Sequence, residues 1–207
     1  MKNEFHRGKY LAFRSLKKLE VLTSINGKGV FSLEDIHPGE IILQFGGPIF
    51  SGAEIPYLSE PKNDYFLQID EDLYLGPSGE LDDYINHACH PNTGLVFGKE
   101  SLGLKAIRFI PERSEITYDY STTMDGFWGE MTCNCGLATC RKKIINFLDL
   151  PEMIQQRYSA WGIVPEYIQK QLPSSRHATA ALGAPCSADM SSRFRSETRC
   201  PLRSYSR

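Results

Sequence analysis

Three cysteines crowd together at positions 133, 135 and 140 of this 207-residue chain. A Cys-x-Cys pair forms a disulfide with itself only under strain, because the bond geometry is narrow. Thiolates at this spacing instead suit a tetrahedral zinc ion, which takes four ligands. Cys89 is the obvious fourth ligand, and the two cysteines beyond residue 173 are poorer candidates. We therefore predict a structural zinc site on Cys89, Cys133, Cys135 and Cys140.

Cys89 itself lies in the run Asn-His-Ala-Cys-His-Pro-Asn, residues 86–92. This run places two imidazoles, a thiol and two carboxamides in seven positions, and Pro91 restricts the backbone of its neighbours. We interpret it as a fixed loop. A polar surface loop is the alternative, but such a loop does not require so many reactive groups.

Two further patterns carry groups that suit a binding site. Gly27 and Gly29, in the run Asn-Gly-Lys-Gly, let the backbone turn sharply and approach a ligand closely; an ordinary turn between strands is the alternative. By alternation, Tyr118 and Tyr120 are expected on one side of a strand. Two phenols on one side fit either an amphipathic core face or the wall of a polar channel.

The elements that must position these groups are mainly β-strands. Between residues 19 and 120 we predict strands in LEVLTSI, GEIILQF, DYFLQI, TGLVFG, LGLKAIRFI and EITYDY, separated by Gly and Pro turns. No alternation of helix and strand is present, so a doubly wound sheet is not expected. Residues 151–161 have helical spacing, and a second short helix follows from Pro165. Residues 173–207 contain no Ile or Val, and we predict disorder there.

Charge and hydropathy limit the function classes. The net charge is −2; the last 35 residues hold six Arg against Asp189 and Glu197, which leaves −6 on residues 1–172. The chain lacks the overall basic field that would indicate direct nucleic-acid binding. The first residues lack the apolar region of a secretion signal, and no run approaches the roughly 20 apolar residues of a membrane helix. We expect an intracellular monomer, cytoplasmic or nuclear.

In their order along the chain, these motifs resemble the SET domain of protein-lysine methyltransferases with its zinc-binding post-SET segment. The resemblance covers about residues 19–145, and the CNCG…CRK wording is similar to the trithorax-like branch. It implies a mainly β, β-rich α+β fold of small antiparallel sheets with a knot-like crossing near its C-terminal end. The implied division is an extension (1–18), the SET domain (19–122), the post-SET segment (123–145), a helical extension (146–172) and the tail (173–207).

The chain departs from the usual pattern of this family at two places. Ala88 replaces the usual Ser, and residues 76–84 replace a run that helps to shape the cofactor pocket and the substrate groove. Only about 20 residues precede the first predicted strand, with no cysteine-rich module among them.

The resemblance also implies a role for individual residues. Tyr120 matches the catalytic tyrosine, and Tyr118 matches the position that sets how many methyl groups fit. S-adenosylmethionine (SAM) is the implied methyl donor and zinc the implied metal, with a lysine-containing basic peptide, histone-like, as the favoured substrate. The residues expected to bind SAM are Asn26, Gly27, Lys28, Gly29, Tyr65, Asn86, His87 and Asn134.

Three other interpretations account for parts of this sequence. A catalytically silent SET-like module would bind a peptide without methylating it, yet Tyr120, Asn86 and His87 are all present. A zinc-stabilised interaction domain needs the cysteines but has no use for the other motifs. A methyltransferase acting on nucleic acid or a small molecule would usually show a Rossmann pattern, which this sequence lacks.

Overall fold

The chain folds mainly as short β-strands. The structure, a computed structural model, describes residues 4–55, 66–125 and 131–173. Branched and aromatic residues between Gly and Pro turns favour such strands. The strands are β1 Tyr10–Leu11, β2 Arg14–Ser15, β3 Leu19–Ser24, β4 Gly27–Ser32, β5 Ile41–Gln44, β6 Gly47–Ser51, β7 Leu67–Asp70, β8 Leu73–Leu75, β9 Asn86–His87, β10 Thr93–Phe97, β11 Leu102–Ala106, β12 Thr117–Tyr118, β13 Met131–Thr132 and β14 Lys143–Ile144.

The strands pair into small sheets. One sheet has the order β1-β6-β8-β7 and another β10-β11-β5-β2, with two-stranded pairs β3-β4, β13-β14 and β12-β9. In the described ranges the pairing is antiparallel throughout, except that β12 runs parallel to β9. The prediction of a mainly β fold with small antiparallel sheets is confirmed. The knot-like crossing stays a prediction, and it would depend on the parallel contact between β12 and β9.

The predicted strand through Tyr120 is shorter in the structure. Its regular part is Thr117–Tyr118, and a 3₁₀ turn follows at Tyr120–Thr122. Asp119 causes the change, because its side chain accepts the N–H of Ser121 and so caps the turn. The expectation that both tyrosines alternate along one strand is therefore wrong, although their rings remain neighbours, with centroids 4.8 Å apart.

One apolar core fills the space between the sheets. Its buried members come from nearly every strand between β1 and β12, and several are fully enclosed: Val30, Ile36, Ile42, Leu43, Ile69, Leu95, Leu102, Leu104 and Ile116. Ile116 belongs to this core and directly precedes β12. The core thereby fixes the start of the segment that carries the two tyrosines.

The predicted helical pair is present after the strands. Helix α1 spans Glu152–Ala160 and helix α2 spans Glu166–Gln169. Pro151 stands immediately before α1, and Gly162, with φ of +66°, follows its end as expected of a helix stop. These helices build a second buried core of their own: Phe147, Leu150, Tyr158, Ile163, Val164, Tyr167, Ile168 and Leu172.

Two predictions lie outside the described residues. One is the proposed cofactor contact Tyr65, and the other is the disordered tail, of which only Pro173 is described. Among the residues that are described, no helix has both the length and the apolar character needed to cross a membrane.

Candidate active site

Strand β9 and strand β12 bring the two central motifs together. Their register pairs Asn86 with Thr117 and Tyr118 with His87. Asn92 extends this pairing, because its carboxamide donates to the carbonyl of Glu115 at 2.8 Å and accepts the N–H of Thr117 at 2.9 Å. The carboxamide of Asn92 thus makes the hydrogen bonds that the backbone of a neighbouring strand would make with β12.

Glu115 is a site residue that the sequence reasoning did not single out. Its carboxylate accepts from Asn86 Nδ2 at 2.7 Å and from the hydroxyl of Ser24 at 2.8 Å. Asn86 Nδ2 also donates to the carbonyl of Lys28 at 2.8 Å, so both of its N–H bonds are used within the protein. The available signal was the position of Glu115 at the start of the run Glu-Ile-Thr-Tyr-Asp-Tyr, residues 115–120.

The two glycines of the 26–29 run have different functions. Gly27 has φ of +99° and begins β4 directly after the two-residue turn that follows β3. Gly29 is needed for packing, because a Cβ there would overlap with the carboxylate of Glu115 and approach Ser24 Cβ at 2.9 Å. The prediction that both glycines serve a close ligand approach is therefore modified: Gly29 makes room for Glu115.

Tyr120 lies at the centre of the candidate site. Its hydroxyl donates to the carbonyl of Ile85 at 2.7 Å, and its ring packs against Tyr118 and, edge-on, against His87. Tyr118 is buried, and this burial raises the pKa of its phenol well above the usual value. The phenol of Tyr118 is therefore neutral at physiological pH. Tyr118 also packs edge-on against Phe45, with ring centroids 6.4 Å apart.

His87 contacts both the ring and the backbone of Tyr120. Burial lowers the pKa of His87 to about 4, so its ring is neutral at physiological pH. Nδ1 accepts the backbone N–H of Tyr120 at 3.2 Å, which places the ring proton on Nε2, 3.3 Å from Cys89 Sγ. The imidazole therefore links the tyrosine turn to the cysteine cluster.

Asp119 anchors the turn to the segment that follows Cys140. Its fully buried carboxylate accepts a bidentate pair of hydrogen bonds from Arg141, at 2.7 and 2.8 Å. The acceptor geometry suits the planar guanidinium. Arg141 also donates to the carbonyl of Cys89 at 3.3 Å. One side chain thus connects the segment after Cys140 with both central motifs.

Two adjoining cavities meet at these residues. The larger, about 530 Å³, is lined by both tyrosines together with Asn26, Phe45, Leu67, Gln68, Ile85, Asn86, His87, Thr123 and Asn134. The smaller, about 310 Å³, is lined by Ile25, Asn26, Asn86, His87, Ala88, Phe109, Cys135 and Leu137. Asn26, Asn86, His87 and Cys135 line both. Of the predicted cofactor residues that are described, Asn26, Asn86, His87 and Asn134 line these cavities.

Lys28 and the loop 76–84 complete the surroundings. The ammonium of Lys28 lies over the ring of Tyr84, 4.9 Å from its centroid, so its side chain packs on that loop. Asp82 and Asp83 hold the loop in shape, because Asp82 accepts from the N–H of Gly46 at 2.9 Å and Asp83 accepts from the N–H of Gly79 at 2.8 Å. Burial raises the pKa of Asp82. Both aspartates also line the larger cavity.

The four predicted metal ligands come together as one group. The sulfur atoms of Cys89, Cys133, Cys135 and Cys140 all lie within 4.8 Å of one another, and the Cys89–Cys133 and Cys133–Cys140 pairs are 3.5 Å apart. A tetrahedral zinc–thiolate site with bonds of about 2.3 Å places its sulfurs about 3.8 Å apart. The donor set therefore fits zinc.

Backbone donors around the sulfurs agree with thiolate ligands. The N–H of Arg141 points to Cys89 Sγ at 3.4 Å, and the N–H of Lys142 points to Cys140 Sγ at 3.3 Å. The Lys142 contact lowers the pKa of Cys140 to about 7. Such N–H···S bonds orient and stabilise sulfur ligands of a metal.

Known proteins are similar to this chain over most of the described strands. Residues 27–121 match the SET domain family. The chain is 29% identical over 174 residues to histone-lysine N-methyltransferase ASHH3 of Arabidopsis thaliana, covering 77% of this chain and 47% of that protein. It is 34% identical over 142 residues to the variant-silencing SET domain-containing protein of Plasmodium falciparum, covering 60% of this chain and 6% of that protein.

Solved structures agree. A crystal structure of KRYPTONITE in complex with mCHH DNA, an H3(1-15) peptide and SAH has a TM-score of 0.51 at 27% identity, covering 63% of this chain and 30% of that one. A second KRYPTONITE structure, with mCHG DNA and SAH, has a TM-score of 0.52 at the same identity and coverage. The chain spans less than half the length of these curated relatives and solved chains.

Proposed function

Since this chain carries a SET domain, we propose that it is a SAM-dependent protein-lysine N-methyltransferase. One observation carries the proposal. Tyr118 and Tyr120 lie beside the run 86–92 (the β9 loop) and the post-SET segment, and these parts together line two adjoining cavities. One cavity suits a cofactor and the other suits the end of a lysine side chain. The relatives named as histone-lysine N-methyltransferases support the same reaction.

The smaller cavity and the adjoining part of the larger one would hold SAM. SAM supplies an electrophilic methyl group on a sulfonium, and SAH is what remains after its transfer. The apolar side chains of Ile25 and Leu137 offer faces for a flat purine ring. Asn86 has used both N–H bonds, so its remaining oxygen can only accept, which suits an ammonium group such as that of the methionine part.

The remaining predicted SAM contacts keep their roles as part of this proposal. Asn26 lines both cavities and Asn134 lines the larger, whereas Gly27, Lys28 and Gly29 shape the β3–β4 turn next to them. The side chain of His87 faces Tyr120 and Cys89, so we assign its contribution to its backbone. Tyr65 also belongs to the proposed set.

The larger cavity would admit the substrate lysine. A free lysine, with a pKa of about 10.4, is almost entirely protonated at neutral pH and cannot act as a nucleophile until it loses its proton. Phe45, Leu67 and the ring of Tyr118 give the cavity an apolar wall that favours the neutral amine. The protein then has to align the amine for in-line attack, and alignment supplies much of the acceleration.

Tyr120 is the proposed catalytic residue. Its hydroxyl is already oriented by the carbonyl of Ile85, and Tyr120 and Ile85 both line the larger cavity. Oxygens in this position stabilise a partly positive methyl group through CH···O contacts. Tyr118 is proposed to limit the space around the amine, because a phenol there occupies room that Phe would leave. We expect mono- or dimethylation.

The cysteine cluster is proposed as a structural zinc site. Four thiolates close the coordination shell, so no position remains for a catalytic water. Cys89 belongs to the β9 loop, and the other three ligands belong to the segment after β13. Their joint ligation would hold the post-SET segment, with Asn134 and Cys135, against the cavities.

The proposed substrate is a lysine in a basic, histone-like peptide. The charge of −6 on residues 1–172 favours a basic partner, and one structural neighbour holds an H3(1-15) peptide. We further propose that the chain works as an intracellular monomer, cytoplasmic or nuclear, without direct nucleic-acid binding. The domain division of the sequence analysis is proposed unchanged, apart from residues 10–15, which form β1 and β2 within the main sheets.

Methyl transfer can be tested directly. The full chain, purified without chelator, is incubated with labelled SAM and with core histones or unmodified H3 peptide, and the products are mapped by mass spectrometry. The expected result is a mass gain of one or two methyl groups on lysine. SAM binding without transfer to any histone or lysate protein would favour the silent peptide-binding module, and absence of SAM binding would overturn both.

A further inference from the structure

The C-terminal helices pack closely against strand β10 of the main sheets. Ile163, in the link between α1 and α2, is buried against Gly94 of β10, where a Cβ would overlap with its side chain. The helices bring their own apolar core, so their association with the sheets is not a loose peripheral contact. Packing alone, however, does not account for two tyrosine hydroxyls that reach beyond this core.

The first hydroxyl belongs to Tyr158 of α1. It donates to Asp119 Oδ2 at 3.0 Å, and both groups are buried. The same carboxylate binds Arg141 and caps the turn that begins at Tyr120. Tyr158 therefore holds the side chain of the residue directly before the proposed catalytic tyrosine.

The second hydroxyl belongs to Tyr167 of α2. It lies 2.7 Å from the carbonyl of Thr123 and 3.3 Å from the carbonyl of Gln68, and its single proton is directed to the nearer oxygen. Thr123 ends the turn after Tyr120, and Gln68 belongs to β7. Both residues line the larger cavity, so the Tyr167 hydroxyl contacts the backbone of two residues of its lining.

We propose that Tyr158 and Tyr167 are positioning residues that fix Tyr120 for methyl transfer, so that the C-terminal helices are part of the catalytic unit. The inference rests on the proposed methyltransferase function. The two hydroxyls hold the turn at both ends, one through Asp119 before Tyr120 and one through Thr123 after it. A turn held at both ends keeps the Tyr120 hydroxyl at its place beside the Ile85 carbonyl.

The test compares single-turnover rates of Tyr158→Phe and Tyr167→Phe in the full chain. Each variant keeps its ring and loses one hydrogen bond to the turn. We expect the transfer rate to fall by roughly tenfold with the Kd for SAM changed less than about twofold, since a misplacement of about 1 Å can cost about 10²-fold in rate. Ile163→Val is the matched control: it trims the same helical core and does not touch residues 119–123, so its rate should remain that of the wild type.

A double-mutant cycle separates positioning from general destabilisation. If Tyr158 acts through Tyr120, its replacement should have little effect once Tyr120→Phe has removed the hydroxyl that it positions. Equal rate losses in both backgrounds, or a matching loss in Ile163→Val, would overturn the proposal. Wild-type rates in both single variants would also overturn it while methyl transfer itself stands. A wild-type chain that binds SAM and transfers no methyl would instead refute the underlying function, and the positioning role with it.

Discussion

Tyr120→Phe gives the sharpest test of the active-site assignment. The change removes one hydroxyl, which donates to the carbonyl of Ile85 at 2.7 Å, and keeps a ring that packs against Tyr118 and His87. Loss of this hydrogen bond should lower the free energy of unfolding by about 1 kcal/mol. A domain of ordinary stability, about 5–15 kcal/mol, remains folded after such a loss.

The expected effect on the reaction is larger. If the hydroxyl contacts the methyl group mainly in the transition state, the rate should fall about 10²-fold, which corresponds to about 2.7 kcal/mol of lost transition-state stabilisation. SAM affinity should hardly change, because an interaction made chiefly during reaction does not contribute to ground-state binding. The rate loss therefore exceeds the stability loss by more than twofold in free energy.

Single-turnover kinetics with excess enzyme and titrated SAM measure both the transfer rate and the Kd for SAM. Tyr10→Phe serves as the control, because this tyrosine is 62% exposed on β1 and does not line either of the two cavities. The control should keep the wild-type rate and affinity. A Tyr120→Phe protein that methylates as fast as the wild type would show that the catalytic residue has been assigned incorrectly, regardless of the family match.

Four other variants test the rest of the site. Asn86→Ala should raise the Kd for SAM at least about tenfold, because a charge-assisted hydrogen bond contributes about 1.5–3 kcal/mol; calorimetry showing unchanged affinity would remove it from the SAM site. Cys89→Ser should lose the metal and lower the melting temperature; metal analysis that finds full zinc would mean another fourth ligand. Tyr118→Phe should move products toward di- and trimethyl-lysine in mass spectrometry, and an unchanged distribution would exclude it as the size limit. Gly29→Ala should destabilise the fold by about 1–3 kcal/mol in urea unfolding, as overpacking against Glu115 demands; wild-type stability would contradict that packing.

The sequence predicts the grouping of the four cysteines because three of them are neighbours along the chain. Three thiols within a few residues cannot lie far apart, and only a few cysteines are available to complete a set of four. The mainly β class is equally accessible, because strand-forming residues between Gly and Pro turns act over short distances. The helical pair and its stop at Gly162 follow from the same kind of local signal.

Long-range contacts account for what the sequence does not reveal. The requirement for Gly29 comes from Glu115, which is distant in sequence, so the run around Gly29 alone suggests only a ligand approach. The strand-like action of Asn92 and the contact of Asn86 with the Lys28 carbonyl likewise need the tertiary structure. Each depends on which backbone atoms the fold places next to a carboxamide, and a residue type does not encode that.

Tyr158 illustrates the same limit from the opposite direction. At helical spacing it is indistinguishable from an aromatic core residue, and its ring does pack in such a core. The part that matters for the proposed reaction is its hydroxyl, which extends past the core to a carboxylate on another segment. A periodic pattern predicts the buried face of a helix but not the destination of a polar atom at its edge.

Asp119 explains why separate motifs have to occur together in this chain. The sequence shows only a carboxylate between two tyrosines, but its oxygens receive donors from Arg141 after the cysteine cluster and from Tyr158 on α1, as well as from its own turn. A buried carboxylate is costly unless such donors are in place. We therefore expect the turn that carries Tyr120 to be most stable when the segment around Arg141 and the C-terminal helices are both in place. On this reasoning, the Asp119 carboxylate couples the placement of the proposed catalytic hydroxyl to the packing of both segments.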